Sequence, residues 1–353
     1  METKLSNLFI QGCENSDAQY DFTKKQRIRL GLYLIAICLI APKRTIDQGK
    51  IYFIFGPLHD KILNYPKNTF YHGNGIGKIT NIFCKNTIVS LISRRKRIKI
   101  ALNALKDNKD CCASGGRARL VEFSFFNSLF EELSAMQQDP KREIVTASLT
   151  DRYVTWIAGL CKRTAFHLCI YQHGTLLHFI GLKHRIEAND FYVYNEEERK
   201  SIVSKVICND SCTFHFFKFD TKVRFSLVEK NQTKKYIGIV SQGDENFNLE
   251  AIKTVTHALP NSKLFLMLHP REPLKQSYKC LMERIPTLAI ESEAKYGNLD
   301  IVITKNSTMI YDYCAAGYSP LFILINPGAQ YEFLDCEIRY CSSFKELEEE
   351  LRR

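Results

Sequence analysis

Apolar positions along this chain follow two periods, and the alternation between them is the main structural signal. Short runs of β-branched and aromatic residues, IYFIF at 51–55, IVTASL at 144–149 and FHLCIY at 166–171, read as strands. Between the last two, Tyr153, Trp156, Ile157 and Leu160 fall at i, i+3, i+4 and i+7, one stripe of a connecting helix. A strand, a helix and a strand in that order predict a parallel sheet. A second alternating series predicts a strand at 236–241, a helix at 248–259, strands at 263–268 and 300–304, a helix at 309–316 and a strand at 321–325. The wholly polar run Glu229-Lys230-Asn231-Gln232-Thr233-Lys234-Lys235 separates the two series. A boundary there gives an N-terminal lobe at 1–230 and a C-terminal lobe at 231–353, each doubly wound α/β. No repeat of solenoid length competes with that division.

Length agrees with it, because 353 residues exceed the usual size of one domain. With 45% hydrophobic and 25% charged residues the chain has enough apolar material for two cores and no need of disorder. The 13 cysteines are odd in number and scattered through apolar runs, as at Cys38, Cys161, Cys169 and Cys314, which predicts buried thiols in a reducing compartment. Apart from the adjacent Cys111-Cys112 pair they form no CxxC…CxxC or Cys/His set with zinc spacing, so no metal is expected. The apolar stretch at 30–42 is shorter than the roughly 20 residues a spanning helix needs and is read as a buried helix or strand. A cytoplasmic protein is expected.

Lys and Arg exceed Asp and Glu by 49 to 38, a net charge of +11. Arg94, Arg95, Lys96, Arg97 and Lys99 are interleaved with Leu91, Ile92, Ile98, Ile100 and Leu102, as on a basic amphipathic helix. That cluster reads either as a solvated face or as a contact with an anionic membrane. No aromatic-interleaved nucleic-acid motif accompanies it, so nucleic acid is not expected as a partner.

Candidate chemistry gathers just beyond the carboxyl ends of predicted strands, where open α/β sheets bind ligands. Gln172-His173-Gly174-Thr175 follows FHLCIY and offers His173 as a general base, with a backbone-bonded turn histidine as the plain alternative. His269-Pro270-Arg271 follows LFLML, where imidazole and guanidinium suit phosphate oxygens and the proline stiffens the exit. Asn306-Ser307-Thr308 opens a helix; its hydroxyls cap that helix and suit a phosphate equally. Asp151-Arg152 lies after IVTASL as an ion-paired helix start or a cleft-facing acid. The loop His72-Gly73-Asn74-Gly75-Ile76-Gly77 lacks the spacing of a phosphate-binding loop.

A mid-chain glycine turn, then His269-Pro270, then Ser307-Thr308 resembles the motif series of bacterial sialyltransferases, with His173 standing where that family has an acidic base. HGTLLHFIGLKH at 173–184, with DIVIT at 300–304 and Ser307, Thr308, Tyr311, Asp312 and Tyr313, is also similar to CDP-glycerol glycerophosphotransferases, in which a histidine is the proposed base. Both resemblances imply a GT-B fold, two Rossmann-like doubly wound lobes facing a central cleft, the N-terminal one on the acceptor side and the C-terminal one binding the donor nucleotide. They imply an inverting, metal-independent glycosyltransferase without cofactor, acting in capsule or lipooligosaccharide synthesis. Its donor would be CMP-linked, with CDP- or UDP-linked donors as alternatives, and its acceptor a glycan or glycolipid. A polyol-phosphate transferase and a non-catalytic scaffold are the alternatives. The site would comprise His173 or Asp151 as base, and His269, Pro270, Arg271, Ser307 and Thr308 around the donor phosphate.

Overall fold

The computed structural model describes residues 2–15, 50–54, 69–71, 92–106, 116–135, 142–147, 149, 152–173, 176–177, 179, 181–217, 224–269, 272–291, 295–305, 307, 309–327, 331, 334 and 336–353. The apolar stretch at 30–42, the glycine loop at 72–77, Leu91, Cys38, Cys111 and Cys112 lie outside them. The chain forms two compact units, 1–173 with 179–217 and 174–178 with 218–353.

In the first unit α1 (Glu2–Glu14) precedes β1 (Ile51–Ile54) and β2 (Thr69–Tyr71). Helices α2 (Arg94–Lys106) and α3 (Gly116–Ala135) lead to β3 (Glu143–Thr146), α4 (Arg152–Thr164) and β4 (His167–Tyr171). β5 (Asp190–Val193), α5 (Glu196–Lys205) and β6 (Thr213–Phe216) complete it. The six strands run parallel in the order β2-β1-β3-β4-β5-β6.

One sheet face carries Phe53, Ile144, Ile170 and Phe191, all buried. Phe53 meets Phe126 and Phe130 of α3 at ring separations of 5.6 and 5.9 Å. The helical stripe expected on α4 is buried, but so are Val154, Thr155, Ala158 and Cys161 on its other sides, and Trp156 is fully enclosed by Phe9, Phe123, Phe126 and Tyr153. α1 lies against α4 at very short range: a Cβ on Gly12 would stand 2.0 Å from Trp156 Nε1, and one on Gly159 2.3 Å from Leu8 Cδ1. Asn15, just past α1, is buried and anchors it by donating to Thr155 Oγ1 and to the His184 carbonyl, each at 2.8 Å.

Helix α2 departs from the amphipathic arrangement expected of its sequence. Arg97 is buried, its Nε donating to the Ile92 carbonyl at 2.7 Å, and Ile100, one turn on, is buried with it. Ile98 and Leu102 are exposed beside Arg95 and Lys99. The reason is rotational: at 3.6 residues per turn 97 and 100 share one side, and 95, 98, 99 and 102 another. The inward side is therefore not purely apolar, and the outward one not purely charged.

The second unit contains β7 (Tyr236–Val240), α6 (Glu245–Ala258), β8 (Lys263–Met267), α7 (Gln276–Arg284), β9 (Leu288–Glu291) and β10 (Ile301–Thr304). It ends with α8 (Met309–Ala315), β11 (Leu321–Ile325), β12 (Ile338–Cys341) and α9 (Phe344–Arg352). All strands are parallel in the order β12-β11-β10-β7-β8-β9. From β9 outward this is the 3-2-1-4-5-6 order of the doubly wound nucleotide-binding sheet, reversing direction between β7 and β10.

Alternate residues feed two cores. Ile237, Ile239, Leu264, Leu266, Ile301 and Ile303 pack with α6, α7 and α9, whereas Phe265, Met267, Val302, Phe322 and Leu324 pack with α8. Burial on both faces explains why these strands are continuous apolar runs. The polar run at 229–235 is tied to this unit, with Asn231 N donating to Tyr236 Oη at 2.7 Å and Lys230 Nζ 2.5 Å from Asp300. No helix among the described residues is long and apolar enough to cross a membrane. Cys161, Cys169, Cys212 and Cys341 are buried thiols, and Cys314 is only half-buried.

Candidate functional site

The carboxyl edge of the second unit's sheet carries two of the expected site residues. His269 stands two residues past β8, its ring exposed. Ser307 stands three past β10 and is buried, its Oγ accepting from Met309 N at 3.2 Å at the opening of α8. The exit of β7 separates them, since β7 pairs with both β8 and β10. There Ser241, Gln242, Gly243 and Asp244 turn into α6, which Asp244 caps by accepting from Phe247 N at 3.1 Å. Gly243 has φ +85° and a Cβ added to it would meet nothing within 4 Å, so its backbone angle, not space, calls for glycine.

A buried polar network beneath that turn is not apparent in the sequence. Ser241 Oγ donates to Glu272 Oε2, and Tyr278 Oη donates to Glu272 Oε1 at 2.7 Å. Asn248 Nδ2 reaches Ser241 Oγ at 2.7 Å and Tyr278 Oη at 2.8 Å. Glu272 N donates to the His269 carbonyl at 2.8 Å, which closes the turn after β8. The network thus fastens the segment carrying His269 to the exit of β7. Burial, with the hydrogen bond to Glu272 adding to it, pushes the Tyr278 phenol well above its ordinary range. On the other side Lys305 Nζ lies 4.0 Å from Asp244. The signal available in the sequence is the same as at His173: a glycine turn directly after an apolar strand, here SQGD after YIGIV.

In the first unit His173 lies two residues past β4 and is half-buried. Its platform is rigid. Gln172 is fully buried, and Tyr194 donates to it twice, N to Oε1 at 3.1 Å and Oη to the carbonyl at 3.0 Å. Gln172 N in turn donates to the Tyr192 carbonyl at 2.9 Å, continuing the β4–β5 ladder.

Asp151, Pro270, Arg271 and Thr308 lie outside the described residues. Arg152 opens α4 and is ion-paired to the buried Glu122 of α3, with Nε at 3.0 Å and Nη2 at 2.8 Å. The structure thus brings His269 and Ser307 to one sheet edge and places His173 on the corresponding edge of the other sheet.

At the amino ends of β4 and β5 a different cluster forms. Asp190 Oδ2 accepts from His167 Nε2, and Asp190 Oδ1 accepts from His215 Nε2 at 2.6 Å. Burial raises the Asp190 pKa, but the hydrogen bonds from His215 and His167 outweigh it and hold the carboxyl below the ordinary aspartate range.

The chain is an α/β protein of two all-parallel, helix-flanked sheets, the second with the strand order of nucleotide-binding folds. No family model matches it, and no curated protein matches it. Similar solved structures include the apo form of the lipopolysaccharide outer core galactosyltransferase WaaB, at 10% identity and TM-score 0.49, covering 86% of this chain and 89% of that one. The wall teichoic acid polymerase TagF is similar at 10% identity and TM-score 0.43, with 99% and 88% covered. A chain of the GtfA/B complex is similar at 12% identity and TM-score 0.42, with 65% and 53% covered. The chain spans about half the length of the GtfA/B chain and of TarM, which it also matches.

Proposed function

We propose that this chain is an inverting glycosyltransferase that takes a sugar from a nucleotide-activated donor, CMP-linked by preference, to a surface-glycan or glycolipid acceptor. The observation that carries the proposal is the second unit's strand order, whose switch point lies between the exits of β7 and β10, with Ser307 beside it and His269 one strand further, after β8. A sheet of that order binds its ligand outside the carboxyl ends at the reversal. The polar groups at these exits suit a nucleotide phosphate, and the network through Glu272 holds the His269 segment in place before any ligand arrives.

In this mechanism His173 takes the proton from the acceptor hydroxyl as its oxygen attacks the anomeric carbon. The bond to the phosphate oxygen breaks on the opposite face, and the configuration inverts. Ser307, Thr308, His269 and Arg271, with Pro270 stiffening the turn, hold the departing nucleotide's negative charge, with no metal bridging it. The buried, doubly hydrogen-bonded Gln172 supplies the fixed geometry a general base requires.

Base and donor groups are expected to fail differently. His173→Ala lowers turnover by about two to four orders of magnitude with donor affinity unchanged. Ser307→Ala and His269→Ala instead weaken nucleotide binding, which they contact before as well as during transfer. The measurement is steady-state transfer together with calorimetric titration of CMP, CDP and UDP and their sugar conjugates. A folded His173→Ala chain with normal turnover defeats the mechanism, and absence of any nucleotide binding defeats the donor assignment.

A further inference from the structure

Two neighbouring strands of the first unit bring metal-ligand chemistry to one place. His167 and Cys169 are two apart on β4, so their side chains leave the same face of the sheet. Asp190 is the register partner of Cys169 on β5. The His167 ring nitrogen, the Cys169 sulfur and an Asp190 carboxylate oxygen all lie within 4.8 Å of one another. His215, on β6, holds the other Asp190 oxygen. Cys169 is buried, whereas the rings of His167 and His215 are 39% and 41% exposed, so the group opens to solvent on the histidine side.

We propose that His167 Nε2, Cys169 Sγ and Asp190 Oδ2 form a zinc site joining β4 to β5, with a solvent molecule as fourth ligand and His215 as a positioning residue for Asp190. One imidazole, one thiolate and one carboxylate are a donor set for Zn²⁺ and a poor one for Mg²⁺ or Ca²⁺, which take oxygen ligands. A tetrahedral zinc holds its ligand atoms about 3.5 Å apart, so adjustments of about an ångström convert the present arrangement into the bound one. The ligands sit on hydrogen-bonded strands, which fix two of them relative to the third. The His215 contact engages Oδ1, the outer-shell arrangement that orients ligating carboxylates, while Oδ2 and His167 Nε2, hydrogen-bonded to each other without a cation, would exchange that bond for the metal.

Without a cation, burial and then the Glu143 and Asp190 carboxylates hold the Cys169 thiol protonated. Coordination therefore forms Zn–S and Zn–N bonds: the thiol proton passes to solvent, and His167 gives up the Nε2 proton it donates to Asp190, the neutral imidazole carrying its one proton on Nδ1. The site lies at the amino ends of its strands, the opposite end of β4 from His173, and its role is to brace the sheet.

The test is metal binding by the full-length chain. Zn²⁺ titration of apo protein should show one tight site per chain, and Co²⁺ in its place should give a thiolate-to-cobalt charge-transfer band. Cys169→Ser should abolish that band and weaken Zn²⁺ by more than about a hundredfold, beyond the loss typical of an outer-shell change. His215→Gln should keep the band while weakening affinity by about ten- to a hundredfold. Should Cys169→Ser fail to fold, His167→Gln, at a half-exposed ring, serves in its place with loss of affinity expected. Unchanged zinc affinity in the ligand variant, a cobalt band surviving Cys169→Ser, or no stoichiometric uptake would each overturn the site and leave a hydrogen-bonded His-Asp-His group. None of these readouts depends on glycosyl transfer.

Discussion

Glu272 is the carboxylate through which the exits of β7 and β8 are held together. It receives hydrogen bonds from Ser241 and Tyr278, and Asn248 lies 3.3 Å away, all of them buried. Glu272→Ala should strand these donors in the interior, at a cost of about 1–3 kcal/mol in chemical unfolding. It should also weaken nucleotide binding more than it lowers turnover, because it frees the turn that carries His269. Glu272→Gln, which keeps an acceptor, should recover part of both. Unaltered unfolding in the alanine variant would refute the account. Glu14 offers a pH-dependent counterpart. Hydrogen bonds from Lys183, at 2.8 Å, and His184 hold its carboxyl below the ordinary glutamate range. A depressed folded pKa means the link contributes above pH about 4.3 and is lost as pH falls through the lower folded value. The melting difference between wild type and Glu14→Gln should therefore be present at neutral pH and vanish in acid. A difference constant with pH would show that the carboxylate charge plays no part.

Among the elements, those buried on both sides are the most legible in sequence. β7, β8, β10 and β11 are observed within about a residue of the apolar runs that announce them. α6 begins three residues before the expected 248, because its first turn, capped by Asp244, is largely polar and carries little periodicity. β5 and β6, whose DFYV and TFHF are only partly buried, carry too faint a pattern to be recognised. The close crossing of α1 on α4 is equally hidden, for nothing in a glycine says what will lie against it. Gly12→Ala should cost about 1–3 kcal/mol by overpacking, since a methyl there must displace the Trp156 ring. A melting temperature equal to wild type would show that α1 is free to shift. On α2 the exposed side mixes Arg95 and Lys99 with Ile98 and Leu102, 40% and 50% exposed. Such a surface is expected to bind anionic vesicles in two separable ways. Arg95→Gln with Lys99→Gln should remove the salt-sensitive part of binding, and Ile98→Ser with Leu102→Ser the part that persists at high salt. Vesicle sedimentation equal for all three proteins would return the helix to a plain solvated role.

For the molecule as a whole, the parallel α/β class is legible because alternation of two hydrophobic periods is a property of long segments. The His167–Cys169–Asp190–His215 group is not, because register between strands creates it: Cys169 meets Asp190 only once β4 and β5 pair. His167 and Cys169 are close along the chain, but Asp190 and His215 join them only through the pairing of β4, β5 and β6. A consequence of a different kind follows from Trp156. It is the sole tryptophan in 353 residues and is fully enclosed in the first unit. Tryptophan emission, excited at wavelengths where tyrosine does not absorb, therefore reports on the first unit alone, because the tyrosines of the second unit are then silent, whereas circular dichroism sums both. Overlaying the two denaturation curves asks of the native chain, without label or truncation, whether its halves come apart as one cooperative block or in turn.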